Sequence, residues 1–418
     1  MVSKYLKITL TTLLVLGLIV PAIFFSVYDP DNNDVDNEII IELWYTYEGS
    51  DVVQDAVEAY ESLHPNITIN FAEQPSSGWI DKFINVAQTG NAPDIFLAKG
   101  SWFGELAKLG YIKSITNFLL PSEEAEYIDS AINGLSYENE LWGLPFWFDS
   151  ILLLYNKDMF DSQALAYPNE NWTDVELLNT ALSLTNRLEE VYGLAWATIS
   201  PYMWPAFQYG FDHGPLYQDG EIVVNDSASA DSLQYIYDLK WDHRCVKYDD
   251  SSSSATQAFE ANKAGMIIYG GWYIPNLTDL DFNFGVEVLP LISSTNQRIT
   301  PMVEVKGFGI SMDTEYSDIC YDIIRYLTSR TVEENMLIDE FKVPTLKSLE
   351  TSDLVQEEPL ILKQLEQIEY SQYYPLDPYY IIYSEYMRAA LLFILEDHYD
   401  IQSTLDETQQ NIEANKDA

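Results

Sequence analysis

For chemistry the chain offers carboxylates and aromatic rings. Its four histidines (His64, His213, His243 and His398) stand far apart, without the spacing of a zinc site. Cys245 and Cys320 either pair in an oxidising compartment or remain buried thiols. No nucleophile elbow, P-loop or dinucleotide fingerprint occurs, so no cofactor or metal is expected. Against this, 14% of residues are aromatic, with 30 Tyr and 10 Trp, and 66 are acidic. The two kinds meet between Tyr137 and Phe160. There Leu144-Pro145-Phe146-Trp147-Phe148-Asp149 sets rings and one acid just ahead of the apolar run Ile151–Tyr155. A run without alternation suits a strand buried on both faces, and rings with an acid at its head sit where a pocket can open. The competing reading of Phe146, Trp147 and Phe148 is plain core.

The elements that position these residues read as two α/β halves. Ile39–Tyr45 is a strand, and a helix follows from about Asp51 to His64 with Val53, Ala56, Val57, Tyr60 and Leu63 on one face, stopped by Pro65. Ile67–Phe71 is a strand, Ile80 to Ala87 a helix with Gly90 as its cap, Ile95–Ala98 a strand, and Ser101 opens a helix ending at Gly110. Such alternation means parallel strands with right-handed crossovers, whose ligands bind beyond the carboxyl ends. Those ends carry Tyr47 and Glu48, Gln74 and Ser76, then Lys99 and Trp102. After Phe160 the pattern restarts. Thr173-Asp174-Val175-Glu176 is a capping box for a helix to about Tyr192, followed by a strand at Leu194–Ile199. Pro201-Tyr202 starts an aromatic helix, and a further helix spans about Ala228 to His243. Ser251–Ser254 reads as a loop, and Gly265–Tyr269 as a strand. The turn Gly270-Gly271 lets backbone approach a ligand and holds Trp272 at the rim. Phe284–Leu289 and Gly307–Ser311 are further strands, and the chain beyond Tyr316 is mostly helical.

At 418 residues two domains are expected, and the net charge of −45 repels phosphate backbones, which excludes nucleic acid as a partner. Lys4 and Lys7 precede an apolar stretch from Ile8 to Tyr28. About twenty residues rising 1.5 Å each match a hydrocarbon core of roughly 30 Å. With the acidic segment Asp29–Glu38 after it, the positive-inside rule leaves the large domain outside the cell. The expectation is therefore a membrane anchor over 1–28 and a flexible acidic linker over 29–38. A cleaved signal peptide is the rival, opposed by the length of the stretch and the lack of small residues near its end.

Four stretches resemble the extracellular solute-binding proteins of ABC importers, in the branch that includes maltose-binding protein. They are Ile41–Phe71 with Trp44 and His64-Pro65, and Gly90-Asn91-Ala92-Pro93-Asp94-Ile95 with Leu106 and Gly110-Tyr111-Ile112. The others are Leu144–Phe160 with Tyr155-Asn156-Lys157-Asp158, and Ala258-Phe259 through Gly265-Met266 to Gly270-Gly271-Trp272. They stand in the family's order over about residues 40 to 310. The resemblance implies a type II periplasmic-binding-protein-like α/β fold of two lobes. Lobe 1 is expected at 39–148 and 308–345, and lobe 2 at 149–307 and 346–418. The hinge is crossed near Phe148–Ile151, near Glu304–Phe308 and near Pro344. A ligand held between the lobes is enclosed by hinge closure and passed to a permease in the same membrane, with the protein acting as a monomer and not as an enzyme.

By the same resemblance Glu48 and Asp149 accept ligand hydroxyls, and Trp272, Tyr202 and Trp102 are stacking platforms, with Tyr47, Lys99 and Trp147 as further candidates. Carbohydrate is the expected solute, because sugar C–H faces pack on flat rings and sugar hydroxyls suit carboxylates. The family places small residues where Trp147 and Leu152 stand, which leaves the size of the ligand open. Other readings are a glycoside-processing enzyme, a ferric-ion, peptide or polyamine binder, and a surface adhesion protein. The enzyme reading needs a carboxylate pair about 5–10 Å apart, which 66 acids supply by chance alone.

Overall fold

The computed structural model describes residues 38–416 apart from 219, 248–250 and 279. The anchor at 1–28 and nearly all of the linker fall outside them. No helix among the described residues is long and apolar enough to cross a membrane.

The chain opens with β1 (Ile39–Tyr45), α1 (Ser50–Leu63), β2 (Ile67–Glu73), α2 (Trp79–Ala87), β3 (Ile95–Lys99) and α3 (Gly100–Lys108). β1 pairs in parallel with both β2 and β3, as the alternation requires. Val52, Val53, Ala56, Val57 and Tyr60 form the buried stripe of α1, but Leu63, expected on that stripe, is 66% exposed at the fraying end. Then come β4 (Gly143–Asp149), β5 (Ile151–Asn156), α4 (Asp174–Leu184), β6 (Tyr192–Ala195), β7 (Ala264–Gly270), β8 (Phe284–Glu287) and β9 (Met302–Ile310). After these follow α5 (Arg330–Glu340), β10 (Val343–Pro344), α6 (Pro359–Glu369), β11 (Gln372–Tyr373), α7 (Tyr379–Leu395) and α8 (Ile401–Ala414).

Two sheets result. The first runs β10–β4–β9–β3–β1–β2, with β11 beside the start of β9; the second runs β8–β5–β7–β6. β9 is antiparallel to β3 and β4, so the first sheet is mixed rather than parallel throughout. Each sheet has its own core. Phe148 belongs to the first core and Ile151 to the second, so the chain changes lobes within Asp149-Ser150. It returns between Met302, in the second core, and Val303, in the first. α6 bridges the lobes once more: Gln364 Nε2 donates to the carbonyl of Phe341 at 3.1 Å, and Gln367 Oε1 accepts from the amide of Leu289 at 2.8 Å. Leu346 and Leu349 pack in the first core.

The apolar run of β5 follows from this architecture. Ile151, Leu153 and Tyr155 face one cluster, while Leu152 and Leu154 face another on the opposite side of the same sheet. The capping box forms as read, with the Thr173 amide donating to Glu176 at 2.8 Å. Its helix stops at Leu184, earlier than expected, because Thr185 turns extended and its hydroxyl caps the carbonyl of Ala181. Ser251 is a helix N-cap and not mid-loop, accepting from the Ser254 amide. The strand expected at Gly307–Ser311 begins five residues earlier, at Met302. Cys320 and Cys245 lie in different cores as free thiols, so they do not pair.

Candidate functional site

Between the two lobes lies a cleft of about 440 Å³. The turn after β1 brings Tyr47 and Glu48 to it, the end of β3 brings Lys99, and α3 brings Trp102. From the second lobe come Tyr202 and Trp272, while Asp149 sits at the end of β4 where the chain changes lobes. Seven of the eight residues singled out in the sequence therefore line one cavity. The eighth, Trp147, is fully buried and does not line it; its indole Nε1 donates to Asp149 Oδ2 at 3.0 Å.

The rings are held by packing. Trp102 lies parallel to Trp79, 4.8 Å between centroids and 3° between planes, and Trp79 in turn stacks on Phe83 at 5.0 Å. Tyr47 flanks Trp102 at 6.3 Å. The backbone of Tyr47 has φ +85°, a left-handed conformation that costs a non-glycine residue energy and turns its ring toward the cleft. Across the gap, Tyr202 stacks against Tyr374 at 5.8 Å, and Tyr374 rests on the buried Tyr380 at 4.5 Å. Trp272 folds back over Gly270; a Cβ there would lie 2.1 Å from the indole, so any larger residue would displace the ring.

The charges form a chain across the floor. Lys342 Nζ reaches Glu48 at 3.1 Å and Asp149 at 3.9 Å. Lys306 Nζ reaches Asp149 at 3.4 Å and Glu304 at 2.7 Å. Lys99 Nζ stands 3.9 Å from Glu304, whose Oε1 also accepts from Ser101 at 3.0 Å. Burial works against the charges of Lys99, Lys306 and Glu304. It pulls the Lys99 ammonium below the usual lysine range, with Glu304 opposing only in part. For Lys306 burial is outweighed by Glu304 and Asp149, and the ammonium is held well above that range. Burial likewise pushes Glu304 up, but Lys306 and Lys99 overcome it and the carboxyl ends below the usual range. Burial drives the Tyr47 and Tyr202 phenols up, so both stay protonated.

Such a floor can do one thing well: offer fixed acceptors and donors, flanked by flat rings, to a ligand with hydroxyls and C–H faces. It is poorly suited to acid–base work, because a general acid needs a raised carboxyl and Glu304 has the opposite. No group of three or more His, Cys, Asp or Glu among the described residues is placed to hold a metal ion. The sequence reading missed Glu304 as a ligand-facing group, and missed Lys306, Lys342 and Tyr374 altogether. A signal existed for two of them: Met302-Val303-Glu304-Val305-Lys306 sets two charges on one face of a wholly buried strand. Nothing in the sequence singles out Lys342.

A profile of the family described as bacterial extracellular solute-binding protein matches residues 55–363. The chain belongs to this family. Its large domain is therefore the extracellular part of a solute receptor. The solute-binding protein is 21% identical over 383 residues to the maltotriose-binding protein of Pyrococcus abyssi, covering 89% of this chain and 81% of that relative. It is 21% identical to the galactooligosaccharide-binding protein of Bacillus subtilis, covering 82% and 80%. Among solved structures, the maltose/maltodextrin-binding domain of Bdellovibrio bacteriovorus bound to maltotriose matches with TM-score 0.81 at 21% identity, over 90% of this chain and 99% of that one. A substrate-binding protein of Listeria monocytogenes in complex with cycloalternan matches with TM-score 0.82 at 16% identity, over 91% and 99%. At these identities the structures show the shared fold.

Proposed function

We propose that this solute-binding protein captures a sugar or oligosaccharide between its lobes and delivers it to an ABC importer permease. The observation that carries the reading is the cleft itself, where Trp272 and Tyr202 from one lobe face Trp102 and Tyr47 from the other across Glu48 and Asp149. Glu48 and Asp149 accept hydroxyls, and Trp272, Tyr202 and Trp102 stack on sugar faces, with Tyr47 and Lys99 beside them. Trp147 acts on the ligand only through Asp149. The relatives named for maltotriose and galactooligosaccharide support the sugar class. Closure turns the lobes about Asp149-Ser150, the start of β9 and the region of Pro344 to α6. The apolar stretch Ile8–Tyr28 is read as an uncleaved anchor that keeps the receptor beside its permease.

The test is a thermal-shift screen of the chain from Asn37 onward against sugars, peptides and polyamines. Ligand at a hundredfold over Kd adds about 2.7 kcal/mol to the folded state. The expected result is a rise in Tm with at least one oligosaccharide. A flat response over a broad sugar panel, or a rise with peptides or polyamines alone, would sink the carbohydrate reading.

A further inference from the structure

β9 is the strand that returns the chain to the first lobe, and all nine of its residues are buried. Its register places Glu304 opposite Asp149 and Lys306 opposite Lys99. Two carboxylates thus face each other across one strand pair, and two ammoniums across the next. Each pair is repulsive by itself, and burial magnifies the repulsion. What reconciles them is the diagonal: the Lys306 ammonium reaches both acids and the Glu304 carboxylate reaches both lysines. On Asp149, Oδ2 is taken by Trp147 and Lys306, while the nearest cation to Oδ1 is Lys342 at 3.9 Å. One carboxylate oxygen is therefore held by two donors, and the other has only the more distant Lys342.

We propose that Lys306 is a positioning residue for ligand recognition: by binding Asp149 and Glu304 together it lets the two opposed carboxylates stand side by side and fixes Asp149 in place for a ligand hydroxyl. This rests on the reading of the cleft as a sugar site. The charged and titratable groups around Asp149 are Glu304 and Lys306 on β9, Lys342 before β10, Tyr45 at the end of β1, Glu48 and Tyr47 after it, Lys99 on β3 and Tyr202 from the second lobe. Only Lys306 touches both members of the opposed acid pair. Without Lys306 the opposed carboxylates lose the one cation they share, and the variant's pair is expected to take up a proton that weakens its capacity to accept from a ligand.

The experiment compares wild type, Lys306→Met, Lys306→Arg and the double variant Lys306→Met with Glu304→Gln. Two readouts are taken between pH 5 and 8: unfolding midpoint without ligand, and maltotriose affinity by calorimetry. For Lys306→Met, the midpoint relative to wild type is expected to fall as pH rises, because a carboxyl protonated in the fold must ionise. Its maltotriose affinity is expected to be at least tenfold weaker at pH 6 than at pH 8, while wild type changes less than twofold. Lys306→Arg keeps the wild-type profile in both readouts, and the double variant loses the pH dependence because the opposed acid is gone. A Lys306→Met protein with a pH-flat midpoint and flat affinity overturns the proposal, as does a double variant as pH-dependent as the single. Should wild type bind no sugar while the midpoints behave as expected, the ligand class is wrong and the charge arrangement is upheld.

Discussion

Trp272 lies across its own strand's final glycine, with Tyr269 at its edge 5.6 Å away, half-buried where the second lobe's core borders the cleft. Replacing it with alanine is expected to weaken oligosaccharide binding by roughly 2 kcal/mol, about thirtyfold, as for a central aromatic anchor. The melting temperature should fall only modestly, since the ring is half-buried at the edge of the core; calorimetry beside a thermal melt checks both, and unchanged affinity removes Trp272 from the site. At this scale the sequence was informative where chemistry and a local break coincide. Gly270-Gly271-Trp272, Tyr47-Glu48 at a strand end, and Asp149 before an apolar run all mark themselves. Trp147 shows the limit. A tryptophan beside an acid reads the same whether it faces a ligand or, as here, spends its one N–H on that acid from within the core. Lys342 is invisible for a related reason, since its partners Glu48 and Asp149 lie far away in the chain and only the third dimension joins them.

Among the elements, the segment after α5 shows how the floor of the cleft is held. Glu333 on α5 is fully buried and accepts from the Thr345 hydroxyl, from the Thr345 amide at 3.0 Å and from the Leu346 amide at 3.3 Å. This ties α5 to the stretch that carries Lys342 and β10. Burial pushes the Glu333 carboxyl up to about 8, against the pull of those bonds. Folded Glu333 is thus protonated where the unfolded chain is ionised, between its ordinary value of 4.5 and about 8. Its contribution is fully present below that window and is lost as pH rises through it, at up to about 1.4 kcal/mol per pH unit. Glu333→Gln should remove this slope, so its unfolding midpoint in denaturant gains on wild type from pH 5 to 8; parallel curves would refute the assignment. Elements with a clear period or cap were readable beforehand: α1 from its stripe, α4 from its capping box, β5 from its unbroken run. β9 was cut short to Gly307 because charges on a strand read as solvent. The helix to Tyr192 was overextended because nothing local announces that Thr185 bonds back to Ala181.

On the scale of the whole molecule, a net charge of −45 is spread over the surface while the cleft floor pairs three lysines with three acids. The surface charges repel one another, and raising salt from 0.1 to 1 M shortens their reach from about 10 to about 3 Å. The melting temperature should therefore climb by several degrees over that range in sodium chloride, and a melt insensitive to salt would show that the acids are already neutralised in pairs. Two lobes were legible from length and from the restart of the pattern after Phe160. The interleaving of the chain between them followed only from the family resemblance, because the sequence order of strands by itself says little about which sheet receives a late one. That interleaving has a temporal side. The strand that fills the middle of the first sheet, between β3 and β4, is Met302–Ile310. On a ribosome it emerges about 200 residues after β3, roughly 10–40 s later at ordinary elongation rates. Until then the nascent first lobe has a slot where its central strand belongs, and it must wait, or be chaperoned, while the whole second lobe is made.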